Sequence, residues 1–228
     1  MAATKLATAY NWRFQALLVL LLSFYAIAPF FETRLVSDVM SSVVLTVAVS
    51  TVIERKGLLI ILGLLAASAI TAIWYARWSP TMEVLVAANV LDLLLLAAVV
   101  IVLLSHVFRS RQISRETIAA AICAYLLFGA MWGDAFAVLE NLVPGSFSGV
   151  TMVSATGEEI ASRRTQLSQF GYFSFVTLST LGYGDITPLT RAARNLAALE
   201  ALCGQLYLAV LVAQLVSQRH KTPPPDEA

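Results

Sequence analysis

"TLSTLGYGDITP", residues 177–188, is the stretch on which the reading of this chain turns. It sets Thr180, Gly182, Tyr183, Gly184 and Asp185 between two long apolar segments. Backbone at membrane depth is normally helical, because an unpaired N–H or C=O group there has no water to bond. Two glycines, a proline and a run of hydroxyls in such a place need a physical reason.

The surroundings are those of a membrane protein. The chain is 59% hydrophobic and 13% charged, with a mean hydropathy of +0.79, whereas soluble domains are about half apolar and about a quarter charged. A net charge of +1 gives no bulk electrostatic case for nucleic acid. Cys123 and Cys203 lie inside apolar runs and read as small buried residues. No paired-histidine metal motif or nucleophile–base arrangement stands out, so the chain does not read as an enzyme.

A transmembrane helix needs about 20 mostly apolar residues to cross about 30 Å. Six stretches qualify: 14–30, 36–53, 57–75, 84–108, 116–139 and 195–217. The second is diluted by hydroxyls, of which Ser42, Thr46 and Ser50 share one helical face and suit close packing. Gly63, Ala67 and Thr71 form a similar stripe on the third. The first has the layout of a secretory signal, with Lys5 and Arg13 before a core that ends at Ala28. Pro29 follows at once and is expected to block cleavage, so the stretch reads as a retained helix.

Basic residues set the orientation. With a cytoplasmic N-terminus, nine Lys and Arg fall inside and six outside, and the dense cluster "RSRQISR" at 109–115 is inside. Both termini are then cytoplasmic, and Trp74, Tyr75 and Trp78 anchor the outer interface. The expected location is the plasma membrane. Arg109, Arg111 and Arg115 are placed to touch anionic lipid.

One long connection separates the last two crossings. Its first part, residues 141–166, is polar and reads as an extracellular loop. "FGYFSFVTLST", 170–180, is apolar but too short to span, so it enters and leaves on one side. Irregular backbone after such a half-helix is tolerated where protein or a water-filled cavity surrounds it. The half-helix C-terminus carries partial negative charge and favours a cation at mid-membrane. Gly182 and Gly184 can adopt angles closed to other residues, and alternating these with ordinary angles turns successive carbonyls one way. Several chains around one axis would stack those carbonyls into oxygen rings, which replace the hydration shell of a monovalent cation.

"TLGYGD", 180–185, resembles the signature filter of potassium channels, usually written TVGYGD. The order of outer helix, extracellular loop, pore helix, filter and inner helix is similar too, over about residues 116–217. The resemblance implies an all-α integral membrane fold: six transmembrane helices, a re-entrant pore helix and a selectivity filter in a tetrameric ion channel. It implies that the carbonyls of Thr180, Leu181, Gly182 and Tyr183 and the Thr180 hydroxyl coordinate potassium. It also implies that Tyr183 packs outward against the pore helix, that Gly184 ends the filter and that Asp185 guards the outer mouth. Thr187 and Pro188 fit the N-cap and first turn of the inner helix. The sequence departs from the family at Leu181, usually valine or isoleucine, and at Ser179, commonly threonine. It departs again at Tyr172 and Phe173, often a tryptophan pair, and at Val176, a glutamate in some members that pairs with the filter aspartate. Asp185 must therefore bond elsewhere.

One filter loop supplies one quarter of a ring, so a homotetramer is expected, with potassium as permeant ion and no cofactor. The segments are a cytoplasmic N-terminus (1–13), a four-helix sensor-like domain (14–109), a pore domain (110–217) and a short cytoplasmic tail (218–228). Within the pore domain, 170–179 form the pore helix and 180–184 the filter. The fourth stretch lacks the periodic arginines that a voltage sensor needs, and its one formal charge is Asp92, with Asn89 one turn before. Asp92 is a structural acid or an intramembrane sensor, and His106 is a boundary histidine that could titrate near neutral pH. Gly204, twenty residues past Gly184, is a gate hinge or a packing glycine. The function expected is passive potassium conduction. The alternatives are a weakly selective cation channel and a non-conducting channel-like subunit.

Overall fold

The computed structural model describes residues 12–27, 34–51, 56–79, 81–110, 114–150 and 163–219. Expectations placed on Lys5, Ala28, Pro29, Arg111, on loop residues 151–162 and on the tail from 220 lie outside the described residues. The elements in chain order are α1 (Arg13–Ile27), α2 (Arg34–Ser50), α3 (Lys56–Trp78), α4 (Met82–Arg109) and α5 (Arg115–Leu142). Then come β1 (Phe147–Ser148), α6 (Arg163–Leu178), β2 (Thr187–Pro188) and α7 (Arg191–Arg219).

Local chemistry explains where the long helices start. Thr81 caps α4, its hydroxyl accepting from Val84 N, and Glu83 sits in the first turn where the helix dipole favours an acid. Ser114 caps α5 in the same way through Thr117 N at 3.1 Å. Among the described residues, four stretches are long and apolar enough to cross a membrane: Gly57–Trp78, Met82–Arg109, Arg115–Leu142 and Arg191–Gln214. α1 has 15 residues and α2 has 17, so at about 1.5 Å per residue each falls short of a core about 30 Å thick.

α1 to α5 share one apolar core. Phe14, Leu17 and Leu21 of α1 meet Leu45 and Ala48 of α2, Leu62 and Ala69 of α3, Leu95 and Val99 of α4, and Ala120 and Leu127 of α5. The bundle therefore docks on the outer helix of its own chain. The hydroxyl stripes are spent within their own helices: Ser42, Thr46 and Thr71 each donate to the carbonyl four residues back at 2.7 Å. Trp74 is tied inward by a 3.3 Å bond from its indole N–H to Ser42 Oγ, while Tyr75 and Trp78 are exposed. Arg77 pairs with Asp38 across α3 and α2 at 3.4 Å. Both cysteines are free, and the Cys123 thiol donates to Phe14 O at 3.5 Å.

A second, aromatic core holds the last third of the chain. Phe147 of β1 stacks edge-on against Phe170 at 5.1 Å, Phe173 at 5.4 Å and Phe136 at 5.5 Å. β1 and β2 pair antiparallel, Phe147 opposite Pro188 and Ser148 opposite Thr187. This corrects the expectation for Thr187 and Pro188, which are strand residues and not the start of the inner helix. The fixed φ of proline suits an edge strand, and Thr187 is held by Ser148, hydroxyl to hydroxyl at 2.6 Å. The helix instead begins at Arg191, capped by Thr190, whose Oγ1 accepts from Ala193 N at 3.2 Å.

Candidate ion-conduction site

α6, the helix over the stretch 170–179 expected as the pore helix, begins at Arg163, earlier than Phe170, and ends at Leu178. It lies in a notch between α5 and α7. On the α5 side, a Cβ at Gly133 would stand 3.1 Å from the Gly171 backbone, and one at Gly129 would overlap the Phe175 ring. The two glycines are four apart, as are Gly171 and Phe175, so two helix faces meet through small residues. On the α7 side, Glu200 touches Ser174 and Gly204 touches Leu178, again at matching four-residue spacing.

The helix ends in a Schellman motif. Leu181 N bonds Val176 O at 2.9 Å and Thr180 N bonds Thr177 O at 3.0 Å, so Thr180 takes the left-handed position after the helix. Its φ is +60°, the one positive φ on a residue other than glycine among the described residues. A β-branched residue there is strained, and such strain collects at functional positions. Gly182 at +59° and Gly184 at +81° follow, with no positive φ at Leu181 or Tyr183 between them. Left-handed backbone thus recurs at every second residue from 180 to 184. This is the alternation that turns carbonyls to one side. Leu181 (58% exposed) and Tyr183 (67% exposed) project away from their own chain.

The turn that follows residue 184 is tied down on three sides. Glu140, buried at the end of α5, accepts from Gly145 N at 2.8 Å and from Phe147 N at 3.1 Å. Leu189 N bonds Ser146 O at 2.7 Å. Asp185 finds the partner that Val176 does not supply: the Tyr172 hydroxyl donates to its carboxyl and holds it below the ordinary carboxylate range. The same bond pushes the Tyr172 phenol above its ordinary value.

The remaining candidates stand apart from the filter. Asp92 and Asn89 are buried on α4, and His106 stacks on Phe14 at 4.9 Å near the other end of that helix. Gly204 is buried midway along an unbroken α7. Sequence reasoning passed over Glu140 and Glu200 and took Tyr172 as a replaced tryptophan, missing its hydroxyl. The signal that flagged Asp92, an acid inside an apolar stretch, was equally present at Glu200, whereas Glu140 stands just past the end of the stretch 116–139. At Tyr172 the loss of a tryptophan hid the gain of a hydroxyl.

This geometry coincides with a match to known proteins. Residues 120–218 match the model of a family described as ion channel. A provisionally named potassium channel protein of Rhodopseudomonas palustris is 40% identical over 68 residues, 27% of this chain and 16% of that protein. The inward rectifier potassium channel Kirbac3.1 of Paramagnetospirillum magnetotacticum is 34% identical over 103 residues, 43% of this chain and 28% of its own. The matched stretches thus span well under a third of each relative. The chain is a mostly helical protein with, among the described residues, four helices long and apolar enough to cross a membrane, and its residues 120–218 are similar to an ion-channel family.

Proposed function

We propose that the chain is one subunit of a homotetrameric potassium channel that conducts passively through a filter built from residues 180–184. The observation that carries this is the left-handed backbone at Thr180, Gly182 and Gly184 at the end of a re-entrant helix. The carbonyls of Thr180, Leu181, Gly182 and Tyr183, with the Thr180 hydroxyl, replace the water around a dehydrated potassium ion, and Asp185 faces the outer mouth. The exposed Leu181 and Tyr183 side chains bury against neighbouring subunits around a four-fold axis.

In this reading the apolar stretches 14–30 and 36–53, longer than the helices α1 and α2 that they overlap, cross beside α3 to α5, giving six crossings with both termini in the cytoplasm. Arg109 and Arg115, at the junction of α4 and α5, meet anionic lipid headgroups together with Arg111. α4 carries no arginine before Arg109, so the bundle does not sense voltage by arginine movement. The lower part of α7, around Val212 and Val216, lines the gate, and Gly204 lets it splay.

The test is flux from potassium-loaded liposomes containing the purified protein, with and without barium. Barium-blocked potassium flux that sodium does not match supports the filter. Equal sodium flux points to a loosely selective pore and to Leu181. No flux from verified tetramers points to a non-conducting subunit.

A further inference from the structure

The pore helix is clasped through one hydroxyl. Ser174 Oγ lies 2.7 Å from the carbonyl oxygen of Gly129 on α5 and also within bonding distance of Glu200 Oε1 on α7. A serine has a single hydrogen to give, and a carbonyl and an ionised carboxylate are both acceptors. With Glu200 ionised, one of the two contacts would press oxygen on oxygen with nothing between. With a proton on Glu200 the set closes: the carboxylic acid donates to Ser174 Oγ, and Ser174 donates to Gly129. Burial points the same way. Glu200 is 0% exposed, and its Oε2 has no hydrogen-bond partner, a poor site for a charge.

Among the described residues the surroundings supply no compensating cation. Tyr125 on α5 lies close enough to feel a charge on Glu200. Cys203 and Tyr207 follow on α7, and Tyr207 is turned to Ala121 O at 2.6 Å. From α6 the facing group is Ser174, and among the described residues no lysine, arginine or histidine acts on Glu200.

We propose that Glu200 is a proton-binding site, held as the neutral acid, that latches the pore helix to both flanking helices. Loss of its proton to hydroxide leaves a carboxylate, which draws the Ser174 hydrogen away from Gly129 and frees α6 from α5. Glu200 touches no permeant ion and acts on the filter through Ser174, so it is a positioning residue. Its influence on flux rests on the channel reading; its protonation does not.

The experiment uses the full chain in liposomes, with E200Q as the variant that keeps a neutral donor. In the infrared spectrum at neutral pH, a carboxylic acid C=O band is expected in wild type and is lost in E200Q. A band unchanged by E200Q, or absent from wild type, overturns the neutral acid. Between about pH 6 and about pH 10, wild-type potassium flux is expected to fall by about fivefold, the weight of one lost hydrogen bond, while E200Q stays flat. Parallel profiles overturn the latch. Should neither protein conduct, the channel reading fails alone, and thermal stability decides the latch. Wild-type stability must then decline as pH rises while that of E200Q does not; parallel declines overturn it.

Discussion

Gly149 packs against the carbonyl of Asp185 so closely that a Cβ there would lie 1.9 Å from the oxygen. Its φ of +81° is also left-handed. The outer loop and the filter exit are thus locked by a position that only glycine fits. Gly149→Ala must move one or the other and should cost at least about 1 kcal/mol from backbone strain alone. A lowered unfolding temperature in detergent is expected, and an unchanged one would show that the loop yields freely.

Glu140 satisfies two backbone N–H groups in the turn after α5. Truncation to alanine leaves both without their acceptor, that of Phe147 in a buried setting and that of the exposed Gly145 open to water, at a cost of about 1–3 kcal/mol. Glu140→Gln keeps one acceptor oxygen and should lose less. Chemical denaturation of the two variants gives the comparison, and equal losses would mean that side-chain volume matters and hydrogen bonding does not.

How much of this was legible beforehand follows from the kind of signal involved. The apolar runs of α3, α4, α5 and α7 announce themselves by length, and the pattern 180–185 announces its alternating backbone because glycine types are written in the sequence. The Schellman turn at Thr180 was not legible, since threonine is a poor residue for a left-handed position and nothing local asks for it. Nor was the β1–β2 ribbon. It pairs two-residue strands about forty positions apart, and "ITP" reads equally well as the start of a helix. The Ser174–Glu200 contact is tertiary and follows only from how α6 crosses α7.

Tyr172 and Asp185 form a pair whose acid side can be titrated. Asp185 is held below its ordinary value by the hydroxyl, so the stability it lends is present above about pH 4 and is lost as pH falls through its lowered value. Tyr172→Phe removes the donor and lets the carboxyl titrate at higher pH. Carbon NMR of labelled aspartate should record that upward move, and an unmoved midpoint would assign the depression to backbone donors.

Thr180 combines two roles that substitution can separate. Its left-handed backbone disfavours any side chain with a Cβ, by about 1 kcal/mol or more, while the hydroxyl is assigned to the potassium ion. Thr180→Ala loses the hydroxyl and keeps the strain; Thr180→Gly loses both. The glycine variant should therefore withstand heating better than the alanine variant, while both lose potassium-dependent stabilisation relative to wild type. If alanine is the more stable of the two, the left-handed turn is not kept in the assembled protein.

Gly204 tests whether close packing or bending governs the middle of α7. A Cβ there would come within 2.6 Å of Leu178 Cδ1 and 3.1 Å of Leu178 O. The first atom belongs to a fully buried side chain with no open space to swing into, and the second is backbone at the end of α6. Gly204→Ala should therefore destabilise the fold, and shortening Leu178 to alanine in the same chain should recover part of the loss. Coupling between touching residues is typically about 0.5–3 kcal/mol. A double-mutant cycle on thermal stability measures it, and single-channel recording of the same variants reads the gate. If the double variant regains stability while open times remain altered, bending at Gly204 has its own role beyond the contact. If stability and gating recover together, the glycine is there to let α7 approach Leu178, and the hinge reading goes. Additive losses in stability would mean that the two residues do not share the crossing in the assembled protein.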